Sequence, residues 1–125
     1  LKVASDAPDT DFIVRISDVY PDGKSILLVD YIRRGRYRDG FEKDSFLKPG
    51  QIAPITFDVG WISQVFNKGH RIRVTVCSTA TPFYEPNPNS AAPLSPEFPQ
   101  DARVATNTIF HQAKAASRII APLRD

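Results

Sequence analysis

The chain has 125 residues, of which 42% are hydrophobic and 24% charged, with 16 basic and 14 acidic side chains giving a net charge of +2. This is an ordinary globular composition for one domain, long enough to bury a core without metal or disulfides. The single Cys77 excludes an internal disulfide, and no apolar run approaches the roughly 20 residues of a membrane-spanning helix.

The first residues, LKVASDAPDT, carry neither a basic start nor a long apolar stretch, so no secretion signal is expected there. Thr10 to Tyr20 alternates, with Phe12, Val14 and Ile16 on one side and Arg15 and Ser17 on the other, which predicts a half-buried strand. YPDGK then turns the chain: Pro21 sets φ, Asp22 caps, and Gly23 accepts a positive φ. Ser25 to Ile32 is a second strand, so residues 10–32 form a hairpin. RRGRYRDG leads into a loop and LKPGQ into another turn. Gln51 to Val59 is expected as a strand, with Pro54 at an edge or a bulge. Trp61 to Phe66 has no clear period. NKGH turns into Arg71 to Thr79, where Ile72, Val74 and Val76 face one way in the cleanest alternation of the chain.

Residues 80–104 hold six of the eleven prolines and no periodicity. Such a long connection points to a functional loop or disorder. Thr106 to His111 and Ser117 to Leu123 are expected as closing strands, with QAKAAS between them as a short helical turn or a loop. Roughly seven strands with Pro/Gly turns predict an all-β antiparallel sandwich or jelly roll.

No catalytic constellation is visible. The glycines at 23, 35, 40, 50, 60 and 69 form no Gly-x-Ser-x-Gly element. Ser78, His111 and an aspartate are residue types that any chain of this size contains, and a triad is defined by geometry. His70, His111 and Cys77 match no zinc spacing, so no metal and no cofactor is expected. His70 reads as a hydrogen bond holding a turn.

Arg33, Arg34, Arg36 and Arg38 form the one charge cluster. Useful nucleic-acid affinity at physiological salt takes about 6–10 phosphate contacts, so no nucleic-acid partner is expected. The arginines read either as a solvated edge that blocks strand pairing or as partners for carboxylates at a protein interface. Trp61, Phe83 and Tyr84 suit either sugar stacking or structure, with Trp61 in the core and the other two pinning the long loop; structure is the preferred reading.

Several stretches go beyond these patterns. SDAPDTDFIVRISDVYPDGKSILLVDYIRRGRYR, LKPG, FNKGHRIRVTVCST, PFYEPNPN and NTIFH…SRIIAPL occur in one order from Leu1 to Leu123. Together they resemble the C-terminal jelly-roll domain of a serine-hydrolase family that includes cocaine esterase, α-amino acid ester hydrolases, glutaryl-cephalosporin acylases and X-Pro dipeptidyl-peptidases. The chain departs from the family pattern where Asn89 is followed by Ser90 and Ala91 rather than Thr-Gly, and where His111 is followed by Gln112 rather than Asp.

The resemblance implies an N-terminally truncated jelly roll that begins inside a strand at Leu1 to Ala4. It implies a turn between two sandwich strands at Ser5 to Asp11, with Asp6, Asp9 and Asp11 capping it, and a central strand after the corner at Gly69 and His70. The family's catalytic Ser, Asp and His lie upstream of this segment, so none is carried onto a residue here. The expected role is a non-catalytic accessory domain that packs on the α/β-hydrolase domain of the same polypeptide, helps wall its substrate cleft and supports homo-oligomer contacts. Candidate interface residues are Arg33, Arg36, Arg38, Phe83, Tyr84, Asn87 and Asn89. The alternative is a stand-alone carbohydrate-binding jelly roll. The compartment stays open.

Overall fold

The computed structural model describes residues 1–94 and 101–122. It contains β1 (Lys2–Ser5), β2 (Asp11–Val19), β3 (Ser25–Arg34), β4 (Ala53–Pro54), β5 (Arg71–Cys77) and β6 (Asn107–Ile109). Two short 3₁₀ turns lie at Gly35–Tyr37 and Ala113–Ala115. The strands form two antiparallel sheets, ordered β4-β1-β6 and β3-β2-β5, as the all-β sandwich reading requires.

The β2–β3 hairpin is the backbone of the second sheet. Its turn is closed by the Gly23 amide donating to Tyr20 O at 3.0 Å and the Lys24 amide donating to Asp22 Oδ1 at 3.0 Å. Gly23 has φ 93°, a left-handed value that disfavours a Cβ. Pairing runs from Val19↔Ser25 to Asp11↔Arg34, with a register shift at Ile16/Ser17 that leaves Leu28 as the extra residue of a β-bulge.

Phe12 packs between the sheets. It clusters with Val3, Leu47 and Ile55, with Phe57, Val76 and Ile109 against them. β1 brings Val3 there by pairing with β4 (Val3↔Ala53) and β6 (Val3↔Ile109). Pro54 sits on β4, an edge strand, where its missing N–H costs no ladder bond.

Several expectations are corrected by the structure. β2 is not half-buried: apart from Arg15 every residue from Asp11 to Val19 is buried, because β3 and β5 flank it and both faces are covered. The strand expected over Gln51 to Val59 shrinks to Ala53–Pro54, because β1 offers it only Lys2 and Val3 as partners. Among the described residues the strand after Gly69 and His70 lies at an edge rather than in the centre: β5 pairs there with β2 alone, and Ile72 and Val74 are exposed while Val76 reaches the core. Trp61 is not core; it is 92% exposed.

No strand forms over residues 117–122, while Ser117 instead ties this segment to β1 through the Lys2 amide and Ser117 Oγ at 2.9 Å. Leu123 lies outside the described residues. The described parts of the Pro-rich stretch 80–104 contain no strand; Pro96 and Pro99 lie outside them.

Candidate functional site: a buried arginine–aspartate network and the surface beside it

The aspartate-rich turn after β1 and the arginine-rich turn after β3 meet in one place. The ladder aligns Asp11 with Arg34. Continuing that register two residues past the strand ends sets Asp9 opposite Arg36, so two Asp-x-Asp and Arg-x-Arg steps become two ion pairs. Arg34 forks onto Asp11, Nε to Oδ1 at 2.9 Å and Nη2 to Oδ2 at 3.1 Å. Arg36 donates its Nε to Asp9 Oδ2 at 2.7 Å and its backbone amide to Asp9 Oδ1 at 2.8 Å.

Arg36 and Asp9 are fully buried, with side-chain exposures of 1% and 0%. Charges this deep persist only when paired and hydrogen-bonded throughout, and Arg36 meets that demand. Its Nη1 donates to Ala92 O at 2.9 Å and approaches Asp44 Oδ2 at 3.4 Å. Nη2 donates to Ser90 O at 2.8 Å, and the guanidinium lies over the Phe46 ring, 5.0 Å from its centroid. Gly35 makes the approach possible: a Cβ there would lie 3.1 Å from Thr10 O and 3.2 Å from Asp9 Oδ1.

Asn87 joins the same network. Its Nδ2 is 3.1 Å from Asp9 Oδ2 and 2.8 Å from Asp11 Oδ1, and its Oδ1 accepts from the Asn89 amide at 2.8 Å. Asn89 adopts φ 61°, a left-handed value that asparagine tolerates better than most residues, and its Nδ2 donates to Arg103 O at 2.8 Å. The network therefore fastens the Pro-rich loop to both turns. Arg34 feels opposing effects. Burial disfavours its charge, but the hydrogen bond and charge of Asp11, with Asp9 and Glu85, outweigh this and hold its pKa above the ordinary value.

Arg36 thus departs from both readings of the arginine cluster, since it faces inward rather than toward solvent or a partner. Asp9 and Asp11 act as ion-pair partners across the hairpin rather than as caps of their own backbone. Asp6 does work locally: its Oδ1 accepts from the Thr106 amide at 2.8 Å. Arg38 donates to Gly35 O at 3.2 Å and to Ser45 O, which ties down the loop after the 3₁₀ turn. Arg33 and Phe83 remain at the surface, Phe83 exposed and Arg33 partly so. Tyr84 donates to Asp30 Oδ1 at 3.3 Å; burial first, and then the Asp30 charge, raises its pKa.

At the far end of β2, His70 Nδ1 lies 2.9 Å from Asp18 Oδ1. The carboxylate only accepts, so Nδ1 carries the hydrogen. The His70 amide donates to Asn67 O at 3.0 Å, and Gly69 takes φ 88° beside it. Ser78 Oγ accepts from Asn107 Nδ2 at 2.9 Å, and His111 is exposed. Among the described residues no group of three or more His, Cys, Asp or Glu is placed to hold a metal ion, and no helix is long and apolar enough to cross a membrane.

The Asp6 carboxyl has a pKa below the ordinary value, chiefly through the Thr106 amide. A depressed folded-state pKa contributes stability above the unfolded value and loses it as pH falls through the folded one. Asp6→Asn should therefore lower the denaturant midpoint at pH 7, and the gap to wild type should close below about pH 4. A gap that persists unchanged at low pH would assign the effect to shape rather than charge.

Residues 1–120 match the family described as the X-Pro dipeptidyl-peptidase C-terminal non-catalytic domain. The chain belongs to this family. Cocaine esterase from Rhodococcus sp. (strain MB1 Bresler) is 37% identical over 123 residues, which is 98% of this chain and 21% of that protein. An aminopeptidase structure from a marine sediment Thaumarchaeota archaeon superposes with a TM-score of 0.86 at 31% identity, over 92% of this chain and 20% of that one. An α-amino acid ester hydrolase structure superposes with a TM-score of 0.84 at 27% identity, again over 92% and 20%. The chain thus spans about a fifth of the length of these relatives. As an X-Pro dipeptidyl-peptidase C-terminal domain it is the non-catalytic part of a hydrolase family, which accords with the lack of a Gly-x-Ser-x-Gly element in its sequence.

Proposed function

We propose that this domain serves an α/β-hydrolase-type serine esterase or peptidase by packing on its catalytic domain, helping to wall the substrate cleft and supporting oligomer contacts. The observation that carries this reading is the match of residues 1–120 to a non-catalytic domain family whose named relatives are hydrolases about five times longer. The buried network supports it physically. It stiffens the Pro-rich loop and the arginine turn, and a wall must hold its shape while bearing no nucleophile of its own. The parent's chemistry would be acyl transfer to its own serine, on an ester or an X-Pro amide.

The test separates the chain from its parent. The 125-residue chain should hydrolyse neither a p-nitrophenyl acyl ester nor a Gly-Pro amide above buffer. The full-length protein should turn over one of them, and excising this domain should lower both its activity and its melting temperature. Turnover by the isolated chain that is abolished by Ser78→Ala would overturn the reading. So would a catalytic domain indifferent to the excision. The carbohydrate-binding alternative has the exposure of Trp61 and Phe83 in its favour, and Trp61-dependent retention on polysaccharide columns would support it instead.

A further inference from the structure

The outer edge of β3 has no strand partner among the described residues, yet it is not bare. It runs along an open groove of about 420 Å³. Tyr37, Phe41, Tyr84 and Glu85 line it together with the strand itself. The ladder says which backbone groups face into it. The Gly35 amide donates inward to Thr10 O at 2.8 Å. Inward and outward groups alternate along an antiparallel strand, so Arg33 and Tyr31 bond toward β2. The N–H and C=O of Ile32 and Arg34 then point outward into the groove. Unpaired edge groups beside aromatic side chains form the template that an extended peptide completes by adding a strand.

Arg33 specifies the charge of that peptide. Arg34, Arg36 and Arg38 each have an aspartate within salt-bridge distance, and Arg33 has no carboxylate partner among the described residues. Its guanidinium lies 5.2 Å from the Phe41 ring centroid, its one hydrogen bond is a long 3.5 Å contact to Tyr37 O, and its buried Nε has no acceptor. A guanidinium stacked on an aromatic ring with donors to spare is a carboxylate receptor.

We propose that the β3 edge is occupied by an extended segment of the same polypeptide, from beyond these 125 residues, that pairs with Ile32 and Arg34 and sets a carboxylate on Arg33. This rests on the proposed role as a domain of a longer hydrolase, whose relatives are about five times the length of this chain. A second copy is disfavoured by charge. Symmetric pairing of two β3 edges centred on this groove would bring one Arg33 toward the other, and like charges on facing strands are destabilising.

Amide exchange in the full-length protein tests this. Ile32 and Arg34 should exchange about 100-fold or more slowly than in an unstructured chain. Arg33→Glu in the same protein should speed both by about tenfold while leaving the Val14 and Ile16 amides unchanged. Exchange at the unstructured rate, with the domain still docked by limited proteolysis, would overturn the inference and leave the docking role standing. A domain that is freely cleaved away would overturn both. Protection that fades on dilution would assign the edge to a second copy, and protection indifferent to Arg33→Glu would remove the carboxylate; either result overturns the proposal.

Discussion

Replacing Arg36 with Ala should lower the stability of the domain by about 3–5 kcal/mol, the usual cost of leaving one partner of a buried ion pair uncompensated. The buried Asp9 carboxyl would lose its ion-pair partner, and Ser90 O and Ala92 O would lose their donor. Since whole domains are stable by only about 5–15 kcal/mol, this one side chain accounts for a large fraction of the total. Urea unfolding of wild type, Arg36→Ala, Asp9→Ala and the double variant supplies the measurement. The double variant should cost clearly less than the two singles added, because removing both charges removes the unpaired one. Strict additivity, or a single-variant loss below about 1 kcal/mol, would mean that the guanidinium reaches solvent. The same substitution should release the Pro-rich loop, read as new proteolytic cleavage between residues 85 and 94 under conditions where the strands stay intact.

Phe12→Ala should cost about 3–5 kcal/mol, the range for emptying a large aromatic site in a core. The reason is position as well as volume. Phe12 is 1% exposed and joins Val3 of β1, Leu47 and Ile55, so its ring packs one sheet against the other. Phe12→Leu should cost markedly less, since a branched aliphatic chain refills part of the space. Thermal melts of the two variants decide the point: equal losses would show that the site cannot use volume and that ring shape dominates. A loss near zero for Phe12→Ala would mean that the sheets are joined elsewhere.

Much of the local structure could be read from the chain. The β2–β3 hairpin followed from alternation on either side of Pro-Asp-Gly, because a period of two and a turn with a positive-φ glycine are properties of adjacent residues. The 3₁₀ turn at Ala113–Ala115 fell within the expected QAKAAS segment for a similar reason. The candidate site was legible only in parts. Asp6, Asp9 and Asp11 stand out as a group and Arg33 to Arg38 as another, but residue type alone suggests caps for the first and either a solvated edge or a protein interface for the second. Their matching spacing was the available signal. Two aspartates two apart and two arginines two apart, on neighbouring antiparallel strands, pair automatically once one pair is in register. Gly35 and Ser90 carried no such signal, since their roles depend on a close approach and on a loop more than 50 residues downstream.

What the sequence determined by itself was therefore the all-β class, the principal hairpin and the absence of a nucleophile elbow. These depend on residue type and near neighbours. What only the tertiary structure decided was which faces are covered. β5 has the clearest alternation of the chain, yet Ile72 and Val74 are exposed, while β2, with charged and polar residues at Asp11, Ser17 and Asp18, is buried on both faces. Alternation reports that a strand has an apolar side. Whether anything lies against that side depends on strand order and on distant loops, and here those put β2 in the middle, with Arg34 supplied to Asp11 and His70 to Asp18, and left β5 at the rim among the described residues.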